Sequence, residues 1–302
     1  MPSANPAFNN PAFQEPRAVK SYPGGPAAAT IGGTSQTGQM AQAASVNAQL
    51  EGQFAAPAAG AIDTDRMTVE DTVLKTIGLF AVLVVLAVVG WVWSMSAVSV
   101  ANPSPTMIPW IVGLVGGFAL AMVISFSKTV RPALIFAYAA FEGLFVGAIS
   151  AFFEFLFPGI VLQATLATLA VVGVTLALFA SGKIRASKRA TKIWMIAMIG
   201  YLVFSLINVG MMMFGAFPAG SGGAFGLLSS VKILGIPLGL IIGVFVVIMA
   251  AYSLVQDFDF IQQGVRNRAP RKYGWLGGFG IMVTVVWLYI EILRIIAIAR
   301  SN

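Results

Sequence analysis

Five carboxylates stand within or beside long apolar runs of the sequence, and these are the residues whose type and placement offer chemistry. They are Glu142, Glu154, Asp257, Asp259 and Glu291. An ionisable group inside a membrane span costs about 3 kcal/mol, so it usually faces the bundle interior, finds a partner and marks a pathway or a switch. The pattern therefore indicates chemistry carried by carboxyl groups among apolar side chains.

Two of these acids lie deep in their apolar runs. Eleven residues follow Glu291 before the chain ends, and at a rise of about 1.5 Å per residue they reach roughly 16 Å, half of a hydrocarbon layer about 30 Å thick. Glu142 is similarly central, eleven residues beyond Arg131. For Glu142, a role in a pathway and an interhelical hydrogen bond in its protonated form remain equally open.

The remaining three acids differ in their surroundings. Asp257 and Asp259 are two residues apart, about 200° around a helix, so they cannot both face the same interior. Asp257 is the deeper one, and we expect it to face inward. Asp259 lies closer to a basic loop, where Arg266 or Arg268 offers a pairing partner. Glu154 stands beside a turn, and we expect water to solvate it.

A cation on the same helix face complicates the behaviour of Glu291. Arg294 follows three residues later, so it either neutralises Glu291 or reaches toward the membrane surface and leaves the carboxyl free to titrate. Two neighbouring carboxyls share protons as one unit and sense pH without histidine. Their oxygens suit Ca²⁺, but two or three carboxylates fall short of the six to eight oxygen ligands of a tight site. We therefore expect transient Ca²⁺ passage, with no resident metal and no cofactor.

Composition excludes several other classes of function. Of 302 residues, 58% are hydrophobic and 10% charged, and the chain contains neither Cys nor His. This removes disulfides, thiolate catalysis, the usual zinc sites and imidazole acid-base chemistry, so we expect no enzyme. The net charge of +7 comes mostly from short loops between apolar runs, where basic residues report topology, and we expect no nucleic-acid partner.

Seven apolar runs predict an all-α polytopic membrane protein with seven transmembrane helices. A leader precedes them, residues 1–66, which is rich in Ala, Pro, Gly and Gln and is expected to be disordered; residues 67–302 form one membrane domain. A tight turn near Pro158-Gly159 separates the third run from the fourth, whose combined length favours two spans. The runs are 74–94, 107–127, 132–156, 159–181, 193–214, 231–256 and 276–300.

Basic residues alternate between the connections. The loops after the second, fourth and sixth runs contain many Lys and Arg, whereas 95–106 and 215–230 contain none. Because basic loops stay in the cytoplasm, the leader is predicted to be cytoplasmic and the C-terminus to lie outside. The basic residues of the three loops are Lys128, Arg131, Lys183, Arg185, Lys188, Arg189, Lys192, Arg266, Arg268, Arg271 and Lys272.

Three segments at these acids resemble the Bax inhibitor family of seven-span proteins, the transmembrane Bax-inhibitor-motif proteins, in a form similar to actinobacterial members. Residues 137–147 read AYAAFEGLFVG, like the Glu-Gly signature of the third span. Residues 257–261, DFDFI, resemble the Asp-containing end of the sixth span, and residues 288–293, LYIEIL, resemble the seventh span, where Asp is the common acid. The likeness covers roughly residues 67–300.

The resemblance implies a pH-sensitive Ca²⁺ leak channel in a bacterial plasma membrane. In it, an acid of span 6 and an acid of span 7 form a proton-sharing pair that gates the pore, and here these are Asp257 and Glu291. A basic residue near the end of span 2 joins the network in some members, and Arg131 or Lys128 is the counterpart. An alignment anchored on Leu293-Arg294-Ile295 instead puts the family's acid nearer Thr284 or Val285.

Two other functions stay open from the sequence. A regulatory protein would modulate a membrane protease or another membrane complex through its leader or loops. A proton-coupled carrier would normally show inverted repeats or broken spans in matching positions, and only Gly235-Ile236-Pro237 hints at a break. The leak channel, the regulatory protein and the carrier would all have the lipid bilayer as a partner. Only the regulatory protein would also require a membrane-protein partner.

Overall fold

The computed structural model describes residues 65–99, 104–215 and 225–301. In these residues seven helices are long and apolar enough to cross a membrane, which confirms the predicted fold class. The predicted disordered leader lies outside the described residues, except for Asp65 and Arg66. The elements are α1 Val69–Ser96, α2 Ile108–Phe126, α3 Pro132–Leu156, α4 Ile160–Ala180, α5 Lys188–Met213, α6 Leu227–Ser230, β1 Lys232–Ile233, β2 Ile236–Pro237, α7 Leu238–Arg266, a 3-10 turn Arg271–Tyr273 and α8 Gly274–Ser301.

Local chemistry fixes where several helices start. The Thr68 side chain accepts a hydrogen bond from the Asp71 backbone N–H at 3.1 Å and caps α1, and the Ser187 side chain caps α5 in the same way. Pro132 opens α3, where its missing N–H costs nothing. Between α3 and α4, Gly159 adopts φ +82°, a left-handed conformation that glycine allows at no steric cost. The turn predicted there does separate two spans.

The sixth span differs from its predicted limits. A small hairpin, β1 with β2 in the register Lys232↔Pro237 and Ile233↔Ile236, occupies the first part of the predicted run. Because proline has no N–H to donate inside a helix, α7 begins directly after Pro237. It then continues past residue 256 to Arg266, since no proline occurs within it. Asp257 and Asp259 therefore lie within the helix.

The bundle is built around α8. In its most apolar stretch 56% of the residues are buried inside the protein, against 6% for α5. Two clusters of buried apolar side chains flank it, one containing Phe279, Met282 and Val286, the other Leu288 and Leu293. Helix α8 is therefore the most buried of the seven spans.

Helices α1 and α3 approach each other more closely than side chains normally allow. A Cβ atom at Gly143 would overlap the carbonyl oxygen of Leu83, and one at Gly147 would overlap that of Ala87. On the opposing helix, a Cβ at Gly90 would lie 2.5 Å from the carbonyl oxygen of Leu144. Gly143 and Gly147 are four residues apart, the spacing of small residues that brings membrane helices into backbone contact.

Helix α5 is attached differently, through a polar seam of Ser187, Trp194, Tyr201 and Asn208. Successive members are seven residues apart, so they follow one face of the helix. The indole N–H of Trp194 donates to the Met249 carbonyl at 2.8 Å. Asn208 is the buried residue of α5, and its side chain accepts from the Leu227 N–H at 2.7 Å and donates to the Phe225 carbonyl at 3.2 Å.

The three basic loops meet at one end of the bundle, which we call the basic end. The Arg185 guanidinium donates to the Gln262 side chain at 2.8 Å, joining the loop after α4 to the end of α7. The rings of Phe136 and Trp275 lie 5.0 Å apart, which brings the start of α3 beside the start of α8. The Met67 N–H donates to the Ala269 carbonyl at 2.8 Å, and this contact adds the start of α1.

Candidate functional site

Glu291 lies at the centre of a three-residue cluster inside the bundle. Its side chain is 3% exposed and forms an ion pair with Arg294, three residues further along α8. The Tyr201 hydroxyl, on the polar seam of α5, lies 3.2 Å and 3.3 Å from the two carboxylate oxygens. One Arg294 guanidinium nitrogen also donates to the Tyr201 oxygen at 2.9 Å. The cluster thus ties α8 to the middle of α5.

This cluster decides between the two roles open to Arg294 in favour of neutralisation. Its guanidinium is turned toward Glu291 and Tyr201, and its Nε atom is buried without a hydrogen-bond partner among the described residues. A buried charge without its counter-ion would be strongly unfavourable in this setting. Glu291 therefore has a full opposite charge and a hydroxyl donor in the arrangement observed.

Asp257 occupies a separate polar position on α7. It is 1% exposed, and the Thr284 hydroxyl of α8 donates to its Oδ2 atom at 2.6 Å. The Ser253 hydroxyl, one turn earlier on α7, lies 3.5 Å from that of Thr284. The expectation that Asp257 faces inward agrees with this burial, while Asp259 is only half-buried and its charged neighbours are Arg266 and Arg185.

The two acids expected to pair have different hydrogen-bond donors. The Thr284 hydroxyl donates a hydrogen bond to Asp257, whereas the Tyr201 hydroxyl and the Arg294 guanidinium donate to Glu291. Thr284 and Glu291 are seven residues apart on α8, which corresponds to about 10 Å along the helix axis. The position opposite Asp257 is therefore the threonine of the alternative alignment, and the carboxyl of α8 lies two turns away.

Glu142 belongs to the interface between α2 and α3. Its side chain hydrogen-bonds to Tyr138, one turn earlier, and a Cβ atom at Gly117 would lie 3.1 Å from its Oε2 atom. The Tyr138 ring packs edge-on against Phe279 of α8, with ring centroids 4.9 Å apart. These contacts give Glu142 partners on α2 and α3, distinct from those of Asp257 and Glu291.

The other candidates lie at the ends of the bundle. Arg131 is the exposed N-cap residue of α3, and Lys128 is exposed in the same loop; neither forms an ion pair with a described carboxylate. The Glu154 carboxylate accepts the backbone N–H of Val161 at 3.0 Å and that of Gly159, so it caps the start of α4. The cation beside Glu291 is thus Arg294 of the same helix.

Two apolar cavities lie in the described part of the bundle, and none of the buried acids lines either of them. One of about 600 Å³ lies among α1, α3, α4 and α8, and the other of about 560 Å³ lies between α4 and α7. Among residues 65–99, 104–215 and 225–301, no three acidic side chains come close enough together to hold a metal ion. Neither of these two cavities is lined by Asp257 or Glu291.

Two functional neighbours were missed by sequence reasoning. Tyr201 is one aromatic residue in an apolar span, and nothing in its surroundings signals a carboxylate partner 90 residues away. Tyr138 precedes Glu142 by four residues, a helical spacing at which side chains meet. That spacing was a signal available in the sequence.

Seven long apolar helices, with carboxyls buried in the last two, define the class as a polytopic membrane protein. The family model described as Bax inhibitor 1 like matches residues 5–301. The chain belongs to the Bax inhibitor 1-like family. No curated protein and no solved structure matches it significantly.

Proposed function

We propose that this protein is a pH-sensitive calcium or cation leak channel that contains no catalytic centre. The observation that carries the proposal is the burial of two carboxylates in the last two spans, with Asp257 1% and Glu291 3% exposed. Membership of the Bax inhibitor 1-like family supports it. Acids that face a bundle interior typically belong to ion pathways or proton-linked switches.

The gate we propose is the contact between α8 and α5. Protonation of Glu291 removes the charge that attracts Arg294. It also weakens the hydrogen bond that the Tyr201 hydroxyl donates to the carboxylate. Because α5 is the least buried of the seven spans and Glu291 and Arg294 are its contacts with α8 in the polar seam, loss of this contact favours separation of α5 from α8. The ion-paired, closed arrangement is stable while Glu291 is charged and is lost as the pH falls, so acidification opens the leak.

Once α5 separates, Asp257 and Glu291 provide two oxygen sites in series. About 10 Å of α8 separates their levels, and the hydroxyls of Thr284 and Ser253 lie between α7 and α8 beside Asp257. Each site offers far fewer oxygens than the six to eight of a tight Ca²⁺ site. Weak sites in series favour transit, since an ion must both enter and leave.

The proposed setting is a bacterial plasma membrane with the leader in the cytoplasm. Clustering of the basic loops at one end supports this orientation through the positive-inside rule. Seven spans then place the C-terminus outside.

Reconstitution in liposomes tests the leak directly. We expect Ca²⁺ flux to rise as the medium becomes acidic, and the Asp257→Asn, Glu291→Gln double variant to lose this pH dependence, because neither of its side chains titrates. Glu70→Gln is the matched control, because Glu70 is an exposed carboxylate in the first turn of α1. Equal flux from the wild type and the double variant at every pH would overturn the proposal.

A further inference from the structure

An apolar groove runs into the bundle from the basic end, between α4 and α7. It has a volume of about 560 Å³ and is lined on one side by Val171, Val174 and Leu178 and on the other by Val247, Ile248 and Ala251. Val174 and Ile248 are 59% and 62% exposed, so the groove opens sideways to the surroundings of the bundle. In a membrane protein those surroundings are lipid.

The dimensions of the groove fit one leaflet of a bilayer. Its lining on α4 extends over nine residues, from Ala170 to Leu178, or about 12 Å for eight steps of 1.5 Å. Half of a hydrocarbon layer about 30 Å thick is about 15 Å. The groove therefore begins near the membrane surface and ends near the midplane, as the site of a lipid acyl chain would.

The basic end of the groove is in direct contact with a cationic segment. Ile184 and Tyr252 line the groove there. The Tyr252 hydroxyl lies 3.0 Å from that of Thr191 and accepts the Ser187 backbone N–H at 3.3 Å. The cations of this segment follow within a few residues, and they are Lys183, Lys188, Arg189 and Lys192.

These cations have no counter-charge among the described residues. The ion pairs formed there involve Lys75, Arg271 and Arg294 as the basic partners, and the four cations at the groove take part in none of them. All four are exposed. An apolar groove of one leaflet's depth with an uncompensated cationic rim matches a molecule with an apolar tail and an anionic head.

We propose that the groove between α4 and α7 binds a membrane phospholipid with an anionic headgroup. Its acyl chain lies between Val174 and Ile248, and its phosphate lies beside Lys188 and Arg189. Basic residues near a membrane surface attract anionic lipids with about 1 kcal/mol each, which corresponds to roughly fivefold in binding. The site is independent of the acids of α7 and α8, so its test requires no flux measurement.

Site-directed photocrosslinking tests the assignment, and the absence of Cys from the chain makes single labelling simple. Val174→Cys at the groove and Met122→Cys on the lipid-facing side of α2 each receive a benzophenone label, in vesicles of equal zwitterionic and anionic phospholipid. Val174 and Met122 are six and four residues from the basic ends of their helices. We expect the ratio of anionic to zwitterionic adducts at residue 174 to exceed that at residue 122 by at least about fivefold, the contribution of one basic residue.

Charge variants complete the test. Lys188→Gln with Arg189→Gln should reduce the ratio at residue 174 to that at residue 122, whereas Lys188→Arg should retain it. Arg268→Gln with Lys272→Gln is the matched control, since it removes two exposed charges elsewhere at the basic end and should leave the ratio unchanged. The helical content of each variant shows that it is folded. Equal ratios at the two positions, or enrichment that survives loss of Lys188 and Arg189, would overturn the proposal.

Discussion

Arg294→Met is expected to lose about 3–5 kcal/mol of unfolding free energy at neutral pH, the typical effect of removing one partner of a buried ion pair. The variant leaves the Glu291 carboxylate, 3% exposed, without its cation and with the Tyr201 hydroxyl as its remaining hydrogen-bond donor among the described residues. Acidification should restore much of the loss, because a protonated carboxyl carries no unpaired charge. Denaturant titration in mixed micelles across a series of pH values measures both effects.

The reverse substitution separates charge from packing. Glu291→Gln leaves the buried guanidinium of Arg294 without its counter-ion. Since arginine stays protonated at every accessible pH, acidification should not restore the lost unfolding free energy. The double variant Glu291→Gln, Arg294→Met should lose less than the sum of the two single losses, because no buried charge remains. A similar pH response in both single variants would contradict the ion-pair account.

Gly147→Ala is expected to destabilise the bundle by about 1–3 kcal/mol, and Gly147→Leu by more. A Cβ atom there would overlap the Ala87 carbonyl oxygen, which is backbone and cannot rotate aside. Helices α1 and α3 must then separate, and they would lose the contact that Gly90 and Gly143 also form. Unfolding free energies measured in mixed micelles give the size of the loss.

Gly200→Ala is the matched control for that prediction. A Cβ at Gly200 of α5 would have nothing within 4 Å, so the substitution should be neutral or slightly stabilising, since alanine favours helix more than glycine does. A loss at residue 200 as large as that at residue 147 would show that helix propensity, and not the approach of α1 to α3, determines the result.

Hydropathy was sufficient to predict the seven spans, because each crossing needs its own long apolar run whatever its neighbours are. It was less accurate at the sixth span, where Pro237 ends a hairpin and delays the helix to Leu238. Hydropathy averaged over a stretch of about 20 residues changes little when one of them is proline. The inward orientation of Asp257 was expected from the sequence, and its 1% exposure agrees with that expectation.

The partners of the acids were not predictable in the same way. The rotation of each helix decides which side chains meet, and a uniformly apolar span shows little about its rotation. Thus Tyr201 was missed, and Arg294 remained an alternative until its guanidinium was located beside Glu291. The hydrogen bond from Thr284 to Asp257 was not predicted either, although the alternative alignment placed the family's acid near Thr284 or Val285. The sharing of protons between Asp257 and Glu291 stays a prediction.

The polar seam of α5 has a consequence for the order in which the chain assembles. The seam's partners on other elements, from Phe225 and Met249 to Glu291 and Arg294, are all synthesised after α5 itself. During translation α5 therefore enters the membrane before Tyr201 has its hydrogen-bond partners. The contact of Tyr201 with Glu291 and Arg294 can form only after α8 has entered the membrane. The helix that we propose as the gate is thus also the last to be secured during biogenesis.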